Sequence, residues 1–163
     1  MLLLICDANI LIDIETGGLV APMFSLDYTF VVPDVLFIEE LESSHGSLLD
    51  MGLESRELSA HMVARVGEMS KKFTRPSRND LFALVLALEE GCPLLTGDRG
   101  LKASAEKENV EVRGTLWLVI EMMRRDKISP LVARGAFQRM KNHGRRLPWN
   151  AVDRLLDDYD HET

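Results

Sequence analysis

Four carboxylates, Asp7, Glu40, Asp80 and Asp98, stand at the ends or starts of regular-looking stretches, and no histidine or cysteine spacing of a transition-metal site accompanies them. Gathered at one sheet edge without basic partners they would repel strongly, which a divalent cation relieves. A ligand set made only of oxygen favours Mg2+ or Mn2+ over zinc or copper. Such an ion, held between carboxylates and a substrate phosphate, can activate a water and stabilise the leaving oxygen of a phosphodiester. The chemistry indicated is hydrolysis of a nucleic-acid backbone, with no serine, cysteine or histidine nucleophile required.

Each acid also has a plainer use. Asp7 ends the apolar run Met1–Cys6 and precedes Ala8 and Asn9, where Asp and Asn are favoured helix caps. An acid against a buried strand is costly unless it is paired, hydrogen-bonded or on a metal, and Asn9 would be the more natural cap. Ser77 and Asp80 make the S-x-x-D pattern of a capping box. Glu39 and Glu40 share a helix whose buried side is Leu36, Phe37, Ile38 and Leu41. At about 100° per residue Glu40 falls roughly 80° from the centre of that side and Glu39 nearly opposite it, so Glu40 is the inward-reaching acid. Asp13 is read as a supporting or solvated acid on a more exposed surface.

The elements that must position these acids alternate. Met1–Cys6 reads as a strand, Ile10–Glu15 as a helix broken by Gly17 and Gly18, and Leu19–Leu26 as a short amphipathic segment. Tyr28–Val32 is a second strand closed by Pro33, followed by a helix over Asp34–Ser43. Residues 44–50 read as a loop with His45 exposed, and Leu53–Met69 as a helical stretch of up to two helices. After Asp80, Leu81, Leu84, Val85 and Leu88 recur at the spacing of one buried helix face, with Ala83 and Ala87 keeping the flank thin; Gly91 and Pro93 stop the helix. Leu94, Leu95 and Thr96 suit a strand buried on both faces, with Asp98 at its end. Then come a helix over Leu101–Glu108, a strand over Val110–Val112, a helix from Thr115, and tail helices over Ile128–Met140 and Pro148–Tyr159. This order predicts an α/β fold: a parallel sheet flanked by helices on both faces in a three-layer sandwich, with a C-terminal helical tail. In such sheets strand ends and helix starts meet at the carboxyl edge, where ligands bind.

Composition sets the outer bounds. A chain of 163 residues is the size of one domain, able to bury roughly 70% of its unfolded surface. No window approaches the ~18 apolar residues of a membrane span, and Met1–Ile5 lacks a signal peptide's basic start, so a cytoplasmic protein without membrane association is expected. Cys6 and Cys92 lie in apolar runs without CxxC spacing and are expected to be buried thiols. The net charge of −7 argues against indiscriminate affinity for nucleic acid. Yet residues 124–146 carry a net +7, leaving −14 on the rest, and Lys71, Lys72, Arg75 and Arg78 cluster just before Asp80. Charge runs are usually solvated faces; the sharper reading is a strip that grips phosphates, with Lys71, Lys72, Arg75, Arg78, Arg145 and Arg146 as its members.

The blocks I-C-D-A-N-I-L-I-D, V-V-P-D-V-L-F-I-E-E-L, S-R-N-D-L-F-A-L-V-L-A with G-C-P-L-L-T-G-D-R-G-L, and V-E-V-R-G-T-L-W-L together resemble a PIN domain. They are most similar to the VapC-like toxin ribonucleases of bacterial toxin-antitoxin pairs. The resemblance covers residues 1–125 and leaves 126–163 as a helical extension packed on the same domain. It implies Mg2+- or Mn2+-dependent cleavage of RNA, with Asp7, Glu40, Asp80 and Asp98 as the acidic cluster and Asn9 and Thr96 as polar positions beside it. It also implies a homodimer and a small antitoxin partner. Arg99 and Gly100 stand where some members supply a further acid, which leaves one metal or two open. Two alternatives remain beside the ribonuclease: a non-catalytic binding module of the same fold, and a DNA-directed nuclease. An aspartyl-nucleophile phosphatase is disfavoured, because Asn9 occupies the position where that chemistry wants a second aspartate.

Overall fold

Five parallel strands form one sheet in the order β3-β2-β1-β4-β5. The computed structural model describes residues 2–162, so Met1 and Thr163, the ends of the spans read above, lie outside the described residues. The chain runs β1 (Leu2–Cys6), α1 (Ala8–Thr16), α2 (Val20–Phe24), β2 (Tyr28–Pro33), α3 (Asp34–Leu36), a π-helical turn (Phe37–Leu41), α4 (Glu42–His45), α5 (Leu48–Met51) and β3 (Glu54–Arg56). It continues through α6 (Ala60–Lys72), α7 (Arg78–Glu90), β4 (Leu94–Leu95), α8 (Arg99–Lys107), β5 (Val112–Arg113), α9 (Thr115–Arg124), α10 (Pro130–Asn142) and α11 (Trp149–Glu162). The expected α/β architecture is the observed one.

β1 is central and covered on both faces: Leu4, Ile5 and Cys6 are fully buried. It pairs with β2 from Leu2 to Ile5 and with β4 at Ile5 and Cys6, so Asp7 emerges at the carboxyl edge between two neighbours. α7 differs from its reading as a helix with one buried face. Every residue from Leu81 to Ala87 is buried, because it is packed against α6, β1 and β2. Gly91 ends it in the left-handed region at φ 62°, a conformation glycine adopts without penalty.

Two local readings are corrected. Glu54, Ser55 and Arg56, expected to be helical, pair with Val31, Val32 and Pro33 as an edge strand, and the helix begins only at Ala60. An edge strand binds through its backbone and keeps polar side chains, so it carries no apolar signature. The expected loop over 44–50 holds the end of α4 and the turn of α5, and His45 is half-buried against Glu15 Oε1 at 2.9 Å rather than exposed.

The segment after residue 125 docks on α1. Arg139 donates to the Gly17 carbonyl at 2.6 Å, and a Cβ at Gly17 would meet Met140 Cε at 2.6 Å and Ala136 Cβ at 3.3 Å, so glycine permits this close approach. Cys6 and Cys92 are buried free thiols, as expected. Among the described residues no helix is long and apolar enough to cross a membrane.

Candidate active site

Asp7 leaves β1 with extended backbone (φ −77°, ψ 151°) and caps α1, its Oδ1 accepting the Asn9 N–H at 3.3 Å. The cap reading and the site reading thus describe the same side chain. Its backbone N–H bonds Leu95 O at 3.0 Å, tying it to β4. The Thr96 hydroxyl donates to Asp7 Oδ2 at 2.7 Å and accepts the Asp98 N–H at 3.1 Å, so one hydroxyl joins the two strand ends. Asp7 is 2% exposed. Burial, opposed by the Thr96 hydrogen bond and reinforced by the charges of Asp80 and Glu40, pushes its carboxyl up to about 6.

Asp80 completes the capping box foreseen from Ser77. Its Oδ2 accepts the Ser77 N–H at 2.9 Å while Ser77 Oγ accepts the Asp80 N–H at 3.1 Å. It nonetheless stands close enough to oppose ionisation of both Asp7 and Glu40. Ser77→Ala removes the cap alone and is expected to cost about 1 kcal/mol, read as a fall of about 2–4 °C in thermal melting. Asp98 is exposed and caps α8, its Oδ1 accepting the Leu101 N–H at 2.8 Å. It reaches the cluster through Thr96.

Glu40 follows β2 on the π-helical turn. Its carboxyl is raised by partial burial, lowered by the Asn79 amide, and raised again by Asp80 and Glu39. The wider π turn changes the expected register: Glu39, read as facing away, shares the Asn79 Nδ2 with Glu40, at 2.8 and 3.2 Å. Asn79 was not singled out from the sequence. Its place beside Asp80 in the first turn of α7 was visible, but the register that brings it to the glutamates was not.

The donors in this set are oxygens, and the charges of Asp80 and Glu40 oppose ionisation of Asp7 while those of Asp80 and Glu39 oppose that of Glu40. Asn79 Oδ1 is buried and lacks a hydrogen-bond partner among the described residues. Among those residues no three His, Cys, Asp or Glu side chains stand close enough to encage a metal ion. An oxygen-only donor set is of the kind that suits Mg2+, which keeps several waters and is usually held by one or two carboxylates plus substrate phosphates.

Asp13, read as a supporting or solvated acid on a more exposed surface, is 6% exposed and fully engaged. Thr115 Oγ1 donates to its Oδ2 at 2.7 Å, and Arg145 Nε to its Oδ1 at 2.6 Å. Arg145 also approaches Asn9 Oδ1 at 3.3 Å. Arg145, expected in the phosphate strip, is therefore engaged inside the protein, and Lys72 pairs with Glu108 at 2.8 Å. Arg78 lies over the Phe82 ring at 5.0 Å. Arg75 stands beside Gly100, and it, Lys71 and Arg146 are exposed.

The fold is similar to a PilT N-terminus domain protein from the hyperthermophilic archaeon Sulfolobus solfataricus P2. That match has 14% identity and a TM-score of 0.51, over 75% of this chain and 94% of that one. It is also similar to VapBC2 from Rickettsia felis, solved bound to a DNA fragment from their promoter, at 18% identity and a TM-score of 0.49, over 69% and 98% of the two chains. No curated protein matches the sequence. A family model described as DUF3368: PIN domain matches residues 3–161, which takes in α10 and α11 as well as the sheet. A match over nearly the whole length places this chain in the PIN-domain family.

Proposed function

We propose that this protein is a metal-dependent ribonuclease acting in the cytoplasm as the toxin of a toxin-antitoxin pair. The observation that supports it most directly is Asp7, a buried carboxylate at the end of the central strand, held by Thr96 and Asn9 and opposed by Asp80 and Glu40. In this reading Asp7, Asp80 and Asp98 hold Mg2+ or Mn2+, and Glu40 holds it or orients the attacking water. When bound, the ion supplies Lewis acidity to the phosphodiester and lowers the pKa of a water. Thr96 fixes the direction of Asp7, and Lys71, Arg75, Arg78 and Arg146 supply cations for the backbone phosphates. The choice of RNA, a small antitoxin and a homodimer are proposed on the likeness of the sequence blocks to the toxin ribonucleases.

Labelled RNA and single-stranded DNA, incubated with the full chain in Mg2+, Mn2+ or chelator, test this reading. RNA is expected to be cut only with metal and DNA to stay intact. Cleavage in chelator would refute the metal mechanism, and cleavage of DNA alone would favour a DNA-directed nuclease. The non-catalytic alternative draws on one specific observation: Asp80 and Asp98 each commit an oxygen to a helix cap. A scaffold of that kind would show no Mn2+-dependent change in melting for either the wild type or Asp80→Ala.

A further inference from the structure

Asn79 lies in the first turn of α7, immediately before Asp80 and two residues after the Ser77 cap. Its Nδ2 donates to Glu39 Oε2 at 2.8 Å and to Glu40 Oε2 at 3.2 Å. A side-chain amide has two N–H donors, and here both are given to carboxylates from adjacent positions of the π-helical turn. Two glutamates that repel each other are thereby drawn to one point on α7. The orientation of the amide follows from chemistry, since the flipped form would set its oxygen against two carboxylates.

Asn79 Oδ1 is left buried with no partner among the described residues. Buried acceptors are nearly always satisfied, and an ordered water is the ordinary partner where the protein supplies none. The donor that suits this place is a water in the hydration shell of a cation, because Mg2+ and Mn2+ sites built from few carboxylates keep several waters. Carboxylates that ligate metals are themselves commonly oriented by hydrogen bonds from a surrounding layer.

We infer that Asn79 is a positioning residue of the cation site: its amide N–H groups aim Glu40, with Glu39 as the second acid they gather, and its oxygen accepts from the water shell of the ion. This inference rests on the metal-dependent reading above. It does not require Asn79 to touch the scissile phosphate, and the substitution that tests it lies on a part-exposed helical position where alanine is well tolerated.

The test is Mn2+ binding by calorimetry on the full chain for wild type, Asn79→Ala, Glu40→Gln and the double variant, with melting in chelator as the fold control. Asn79→Ala is expected to weaken Mn2+ binding by about 10–100-fold, with melting in chelator unchanged within about 2 °C. In the Glu40→Gln background the same substitution is expected to add less than about twofold, because the residue acts through Glu40. Should Asn79→Ala fail to fold, Asn79→Ser is measured in its place. Wild-type-like Mn2+ affinity in the alanine variant, or an undiminished effect in the Glu40→Gln background, would overturn the inference alone. A wild type that binds no Mn2+ would overturn the metal reading and this inference together.

Discussion

In chelator at about pH 7.5, Asp7→Asn is expected to melt several degrees above the wild type, while metal-dependent RNA cleavage falls by more than about a hundredfold. The two effects share one cause. Burial first, then the charges of Asp80 and Glu40, against the Thr96 hydrogen bond, raise the Asp7 carboxyl from 3.8 to about 6. Below about pH 4 the proton is bound in the folded and unfolded chains alike, and the group adds no pH dependence. Between about 4 and 6 the unfolded chain releases its proton first, so stability falls as pH rises. Above about 6 the whole penalty stands, about 3 kcal/mol for a shift of this size. The amide removes that penalty but gives up a hydrogen bond worth about 1 kcal/mol. A gain of about 2 kcal/mol remains, or about 4–8 °C in a domain of this size. Melting of both proteins across pH 4 to 8 checks this. A variant less stable than wild type at neutral pH, or one whose profile still falls between pH 4 and 6, would contradict the account of Asp7, as would undiminished cleavage.

Arg145→Ala is expected to lower stability by about 3–5 kcal/mol, the usual result of leaving one partner of a buried ion pair behind. Asp13 would keep only the Thr115 hydroxyl while remaining at 6% exposure. Melting should fall by about 10 °C or more, and limited proteolysis should open the segment that carries α10 and α11. Adding Asp13→Asn should recover part of the loss, since an amide in that place needs no counter-charge. If instead Arg145→Ala melts like the wild type and only weakens RNA binding with a shallower salt dependence, Arg145 belongs to the phosphate strip and its contact with Asp13 is incidental.

The sequence made β1, β2, β4 and α7 legible for physical reasons that hold locally. Short apolar runs closed by turn residues suit strands covered on both faces, and Ser77, Asp80 and Gly91 mark the helix ends through their own hydrogen-bonding and backbone preferences. The reading of Asp80 as a cap and its reading as a site acid proved compatible. What escaped was everything decided at a distance or by register. Asp13 looks solvated until Thr115 and Arg145, 102 and 132 positions away, are brought to it. Glu54–Arg56 is a strand only because β2 offers a free edge. The π-helical turn, which no residue pattern announces, turns Glu39 towards Asn79 and so enlarges the acidic cluster beyond the four residues first named.

The tie between Asp13 and Arg145 also has a meaning in time. A chain made at about 5–20 residues per second presents Asp13 roughly 7–26 seconds before its counter-ion exists. During that interval α1 cannot settle with Asp13 neutralised, and Asn9, which Arg145 also approaches, lacks its final neighbour. Until Arg145 has been made, the Thr115 hydroxyl is the one described side-chain partner that Asp13 can have.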